Sequence, residues 1–114
     1  MAGDKRVNEN VGLSAIHALF VREHNRLTDR IKEYDPSLPD ESIYQWARKI
    51  VGAQIQAITY REFLPAVMGD AAPRAEDYLY DEIDASITTA FTAAAFRFGH
   101  SMQSPQIVLV DNSG

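Results

Sequence analysis

"GLSAIHALFVREHNRLTDRIKEYDPSLPD", residues 12–40, decides the start of the fold. Its apolar side chains Leu13, Ile16, Phe20, Leu27, Ile31 and Tyr34 recur at intervals of three, four and seven, which gathers them on one face of a helix. The spacing predicts a long helix over residues 12–34. Pro36 ends it, because the proline ring disfavours helical backbone in the preceding Asp35. Ser37, followed three residues later by Asp40, has the spacing of a capping signal that starts a second helix.

That second helix is expected over residues 40–64, with a face made of Ile43, Trp46 or Ala47, Ile50, Ala53, Ala57 and Tyr60, then Phe63 and Leu64, until Pro65 breaks or kinks it. The link at 35–39 is short, so the two helices should lie antiparallel with Ile50 in the buried face. Residues 3–10 upstream read as a polar loop, and residues 69–81 downstream, rich in Ala and Asp, as an irregular connection. A third helix is expected over 84–99, capped by Asp84 and carrying Ile87, Ala90, Phe91, Ala94 and Phe98, with Gly99 as its end or as a point of close approach. Residues 107–110 form a short β-branched, extended segment, followed by turn material at 111–114. The predicted class is all-α, with three main helices and a short extended C-terminal segment.

With 46% hydrophobic and 24% charged residues among 114, the chain has the composition of a globular protein and not of a disordered one. Its 11 basic residues are scattered among 16 acidic ones, for a net charge of −5, which argues against a nucleic-acid partner. No apolar run approaches the roughly 18 residues of a membrane span, and MAGDKRVNEN lacks the apolar stretch of a secretory signal. The compartment is not readable from the chain. The absence of cysteine excludes disulfides, thiolate metal sites and thiol nucleophiles.

Three histidines are enough to bind a metal such as zinc, but His17 and His24 stand seven apart on the first predicted helix, about 10 Å along its axis. That is too far to share an ion comfortably, and no HEXXH pattern is present. Both read as partly buried helix residues or as part of a solvated, salt-bridged surface. His100 differs. In "TAAAFRFGHSMQSP", residues 92–105, it follows three alanines and a glycine, with Phe91, Phe96 and Phe98 nearby. Small residues leave room for a flat ligand, aromatic rings can line that room, and an imidazole can coordinate an iron held within it. A structural histidine fits the same spacing.

"AGDKRVNEN", "HALFVREHNRL", "ARKIVGAQIQAITYREFLP" and "AFRFGH", in this order, resemble the animal-type haem peroxidases, the superfamily that also holds the cyclooxygenases. The resemblance extends from Ala2 to about Pro105, and it implies haem b as cofactor. It also implies that His100 is the proximal iron ligand, the chain's one metal-binding residue, and that Arg97 matches an arginine near a haem propionate. Arg6 matches the catalytic arginine that polarises bound peroxide. Glu9 matches a glutamate that forms an ester with the haem in many members. Asn10 stands where one branch has a haem-bonded methionine, and an amide cannot form that link. The family's distal histidine and calcium loop precede the AGD motif, so calcium is expected outside this chain. The asparagine that orients the proximal imidazole is expected beyond Gly114, Asn112 lying too close. The whole of residues 1–114 thus resembles a central piece of one haem peroxidase domain, from the distal arginine loop to the proximal histidine motif, expected to be inactive by itself. The implied partners are hydrogen peroxide and a small reductant or halide, and family members are often secreted. A fatty-acid dioxygenase of the same superfamily and a cofactor-free helical interaction module remain as alternatives.

Overall fold

The computed structural model describes residues 4–79, 81–108, 110 and 111, in two compact units, Met1–Tyr78 and Leu79–Gly114. In the first, helix α1 (Val11–Tyr34) starts at Asn10, whose side-chain oxygen accepts the backbone N–H groups of Gly12 at 2.8 Å and Leu13 at 3.2 Å. Two of the donors that a helix leaves unpaired at its start are thereby satisfied. The preceding residues are more than a polar loop. Val7 is buried there, and the Ser14 hydroxyl, from the first turn of α1, donates to the Val7 carbonyl at 2.6 Å.

Helix α1 ends as expected at Asp35, but Ser37 does not cap the next helix. Its N–H and hydroxyl both donate to Asp35 Oδ1, at 3.0 and 2.6 Å. The hydroxyl is thereby committed as a donor to a charged carboxylate two residues back and accepts no N–H of the coming helix. Helix α2 (Asp40–Ile58) therefore follows Pro39 with no side-chain cap, and Asp40 and Glu41 in its first turn complement the positive end of its dipole.

The five-residue link turns α2 back along α1, and residues far apart in sequence meet across the pair: Glu23 with Gln54 and His24 with Tyr44. Ile43 and Ala47 form the buried contact, Ala47 being 0% exposed. A side chain that ends at Cβ permits close approach of two helices. Trp46 is the outward alternative, and Ile50, expected in the core, is 36% exposed at the margin of the contact. The inward stripe is thus narrower than the apolar spacing suggested.

Pro65 does not break the second helix. Helix α2 passes into a π-helical turn, Thr59–Phe63, and then into α3 (Leu64–Met68), with Pro65 in its first turn. The Leu64 N–H reaches the Thr59 carbonyl, five residues back, and this wider turn makes room for a ring that would clash in a regular α-helix. Gly69, at φ 58°, stops the run in a backbone region that favours glycine. Single 3-10 turns at Gly69–Ala71 and Ala75–Asp77 occupy part of the predicted connection at 69–81, of which Tyr80 lies outside the described residues.

The second unit departs furthest from expectation. In place of one helix over 84–99 it contains the short α4 (Thr89–Ala93), capped by Thr88, and a 3-10 helix, Ala95–Met102. Asp84 accepts the Ser86 N–H at 2.9 Å in a local turn and caps no helix. Ile87 is 70% exposed, so residues 84–88 have no packed face to repay the cost of helix nucleation, and their β-branched side chains add none by propensity. Among the described residues there is no strand. Ile107, Val108 and Val110 are irregular, while Leu109 and residues 112–114, including Asn112, lie outside the described residues. The class is all-α, and no helix among the described residues is long and apolar enough to cross a membrane.

Replacing Ala47 with Asp would bury an unpaired charge against α1 and should lower stability by about 3 kcal/mol or more. Ile50→Asp, at the margin, should cost about 1 kcal/mol. Thermal melts of the two variants against the parent check the order; equal melting temperatures would contradict the assignment of the buried face.

Candidate functional site

Residues 4–9 form successive turns, closed by the Val7 N–H on the Asp4 carbonyl at 3.2 Å and the Glu9 N–H on the Arg6 carbonyl at 3.0 Å. Within them Arg6 is held by one carboxylate. Its Nε donates to Asp4 Oδ1 at 2.9 Å, its Nη2 to Oδ2 at 2.8 Å, and its backbone N–H to Oδ1 at 2.8 Å. Hydrogen bonds from the Arg6 side chain and then its backbone hold the Asp4 carboxyl far below the usual range, and the same partner raises Arg6 further. Glu9 is exposed in the same turn and adds to the field that keeps Arg6 charged; its carboxylate has no hydrogen-bond partner among the described residues. Asn10 is committed to capping α1.

Arg97 and His100 sit on the 3-10 helix of the second unit. At three residues per turn, positions three apart lie one above the other, so both side chains share a face. Each is exposed, and neither has a hydrogen-bond or ion-pair partner among the described residues. Phe96 is 64% exposed and packs its ring at 6.1 Å from that of Phe91, and Phe98 is exposed beside it. A Cβ added at Gly99 would meet nothing within 4 Å, so the space expected at this glycine is open. An unpaired imidazole, exposed rings, open backbone and an unpaired guanidinium suit a flat apolar group that carries carboxylates. Among the described residues no three His, Asp or Glu converge as a metal site. A metal at His100 would have to bring most of its ligands with it, as iron in a porphyrin does.

The family description Animal haem peroxidase matches residues 1–114. The chain belongs to the animal haem peroxidase family. It is 43% identical over 116 residues to the human peroxidasin homolog, covering 99% of this chain and 8% of that protein. Mouse myeloperoxidase is 45% identical over 117 residues, covering 98% of this chain and 16% of the relative. The peroxidase mlt-7 of Caenorhabditis elegans is 44% identical over 116 residues, covering 99% and 16%. This peroxidase-family chain therefore spans about a twelfth to a sixth of the length of those relatives.

The sequence-predicted residues fall into two local groups, Arg6 with Glu9 in the first unit and Arg97 with His100 in the second. The other histidines of the chain are half-buried helix residues. His17 and His24 line a groove of about 740 Å³ together with Phe20, Tyr44 and Ile55. His24 Nε2 lies 3.3 Å from the Tyr44 carbonyl, and the two rings are 5.0 Å apart. Beside them Glu23 binds Arg26 through two hydrogen bonds, at 2.7 and 2.8 Å, and accepts from Gln54 Nε2 at 2.8 Å. The sequence allowed a salt-bridged surface around His24, and Glu23 with Arg26 at a helical ion-pair spacing supplies it; the bond from Gln54 on the second helix was missed.

The Glu23 carboxyl is lowered to about 2 by the Arg26 and Gln54 hydrogen bonds, from an ordinary 4.5. A depressed carboxyl stabilises the fold above its unfolded value and ceases to do so as it protonates. Stability should therefore fall as pH drops from about 4.5 towards 2, and Glu23→Gln should flatten that slope. Denaturant unfolding midpoints of both chains across this window provide the check; parallel slopes would contradict the clamp.

Proposed function

We propose that this chain belongs to a haem peroxidase, with His100 as the iron ligand and Arg6 as the residue that meets peroxide. One observation carries the reading: an imidazole one 3-10 turn beyond an arginine, both without a partner among the described residues, in a chain that matches the animal haem peroxidase family along its whole length. Bound haem would supply the redox chemistry by which peroxide is reduced and a small reductant or halide oxidised.

The residues supply binding and positioning. His100 would offer a ring nitrogen to the iron, beside a glycine that puts no Cβ in the way. Arg97, on the same face, gives a permanently charged, two-pronged donor for a propionate. Arg6 stays protonated at any working pH, so it cannot take the proton of hydrogen peroxide; it orients the molecule and stabilises negative charge as the O–O bond lengthens. Glu9, three residues from Arg6 and with no hydrogen bond to its carboxylate among the described residues, is the residue to carry an ester link to the haem. Asn10 carries none, its side chain being used by the helix start.

Haem titration of the chain and of its single histidine variants tests the iron ligand. His100→Ala should weaken binding by about 10-fold or more, on the scale of changes near a metal centre, and alter the spectrum of the ferrous carbon monoxide complex, whereas His17→Ala and His24→Ala should not. Equal losses from all three would refute the assignment. For the tether, the peroxide-treated intact protein should yield, on proteolysis, a haem-bearing peptide that contains Glu9. Glu9→Gln should abolish it, and recovery of unmodified haem alone from the wild type would reject the link.

A further inference from the structure

We propose that Asp4 is the positioning residue for Arg6: it grips one edge of the guanidinium and turns the other edge outward to meet the ligand. The proposal rests on the reading of Arg6 as the residue that meets peroxide. An isolated arginine on a loop has four rotatable side-chain bonds and no fixed direction. Here both oxygens of one carboxylate close on a single residue. Asp4 Oδ1 accepts the Arg6 backbone N–H and Nε, and Oδ2 accepts Nη2. Of the five N–H bonds of a guanidinium, Asp4 uses two. Three remain in the guanidinium plane: one on Nη2 and one on Nη1, side by side on the end of the group away from the carboxylate, and a second on Nη1 that points to the Cδ side.

The carboxylate is itself fixed to the fold. The Asp4 carbonyl accepts the N–H of buried Val7 at 3.2 Å, and the Val7 carbonyl accepts the hydroxyl of Ser14 at 2.6 Å, in the first turn of α1. A continuous run of bonds therefore carries the orientation of a 24-residue helix to the guanidinium. Fold stability is a poor explanation for the pair. Its side chains are 66% and 42% exposed, and ion pairs that open to water contribute little to folding. A nearby carboxylate also weakens the attraction of Arg6 for an anion, so the benefit must lie in direction. Displacement of a reacting group by about 1 Å can cost about 100-fold in rate.

The test uses the intact haem-loaded peroxidase with Asp4→Ala, Asp4→Asn, Arg6→Lys and the Asp4→Ala, Arg6→Lys double variant. Asp4→Ala should lower the second-order rate constant for peroxide by about 10- to 100-fold and weaken cyanide binding, with the reductant KM and the melting temperature unchanged. Asp4→Asn, which keeps an acceptor for the backbone N–H, should lose less. In the Arg6→Lys background Asp4→Ala should have no further effect. A second readout needs no haem: in the unloaded chain the Arg6 Nε–H should be protected from solvent exchange by NMR, and Asp4→Asn should reduce that protection. Impairment by Arg6→Lys with wild-type behaviour of Asp4→Ala would overturn the role of Asp4 alone. An Asp4→Ala loss that persists undiminished in the double variant would also overturn it, by marking the effect as structural. Wild-type behaviour of Arg6→Lys would overturn the reading of Arg6 and, with it, the proposal.

Discussion

The contact of α1 with α2 through Ile43 and Ala47 holds the first unit together. Only Val7, Ile43 and Ala47 are buried among the described residues, so this small contact bears much of the packing, supplemented by the Glu23 clamp to Gln54. Two long helices with one narrow seam would slide or splay if apolar attraction, which has no direction, acted alone. The hydrogen bond across the seam supplies direction, and Glu23 can serve there because Arg26 and Gln54 keep it ionised.

The helices were legible where periodicity and chain breakers agreed. Residues 12–34 combine a regular apolar stripe with a proline just after Asp35, and α1 matches that span within a residue. Ser37 and Asp84 show where local patterns mislead. Each has the residue type of a cap, but Ser37 takes the nearer carboxylate of Asp35, and Asp84 bonds the N–H of Ser86. In each case a polar side chain chooses between partners a few residues apart, and spacing alone does not rank them. Residues 84–88 failed for a different reason: an apolar repeat supports a helix only when something packs against it, and Ile87 has no such cover.

For the candidate site, the sequence located Arg6, Glu9, Arg97 and His100 through motif resemblance. The structure adds the 3-10 geometry that aligns Arg97 with His100 and the two-pronged grip of Asp4 on Arg6. Neither was visible beforehand, since an i,i+3 pair shares a face differently in α and 3-10 helices, and an i,i+2 pair in a loop has no fixed relation until the turn is known. Asp4 and Val7 stand two residues and one residue from Arg6, inside the motif, and went unremarked because only the residues with a chemical role were followed.

The π-helical turn at Thr59–Phe63 has a bearing on how this helix tolerates changes in length. A π turn holds one more residue than the corresponding α turn, and each residue turns an α-helix by about 100°. Loss of one residue there would tighten the turn to α geometry and drive the Pro65 ring against the carbonyl four places before it. The seam with α1 lies upstream, at Ile43 and Ala47, and would keep its register; because the wide turn already takes up the extra residue, Phe63, Leu64 and Val67 would stay close to their present faces. The wide turn thus absorbs one residue without turning the two halves of the helix against each other, and a deletion at this point would be felt at the proline and not in the aim of the far half.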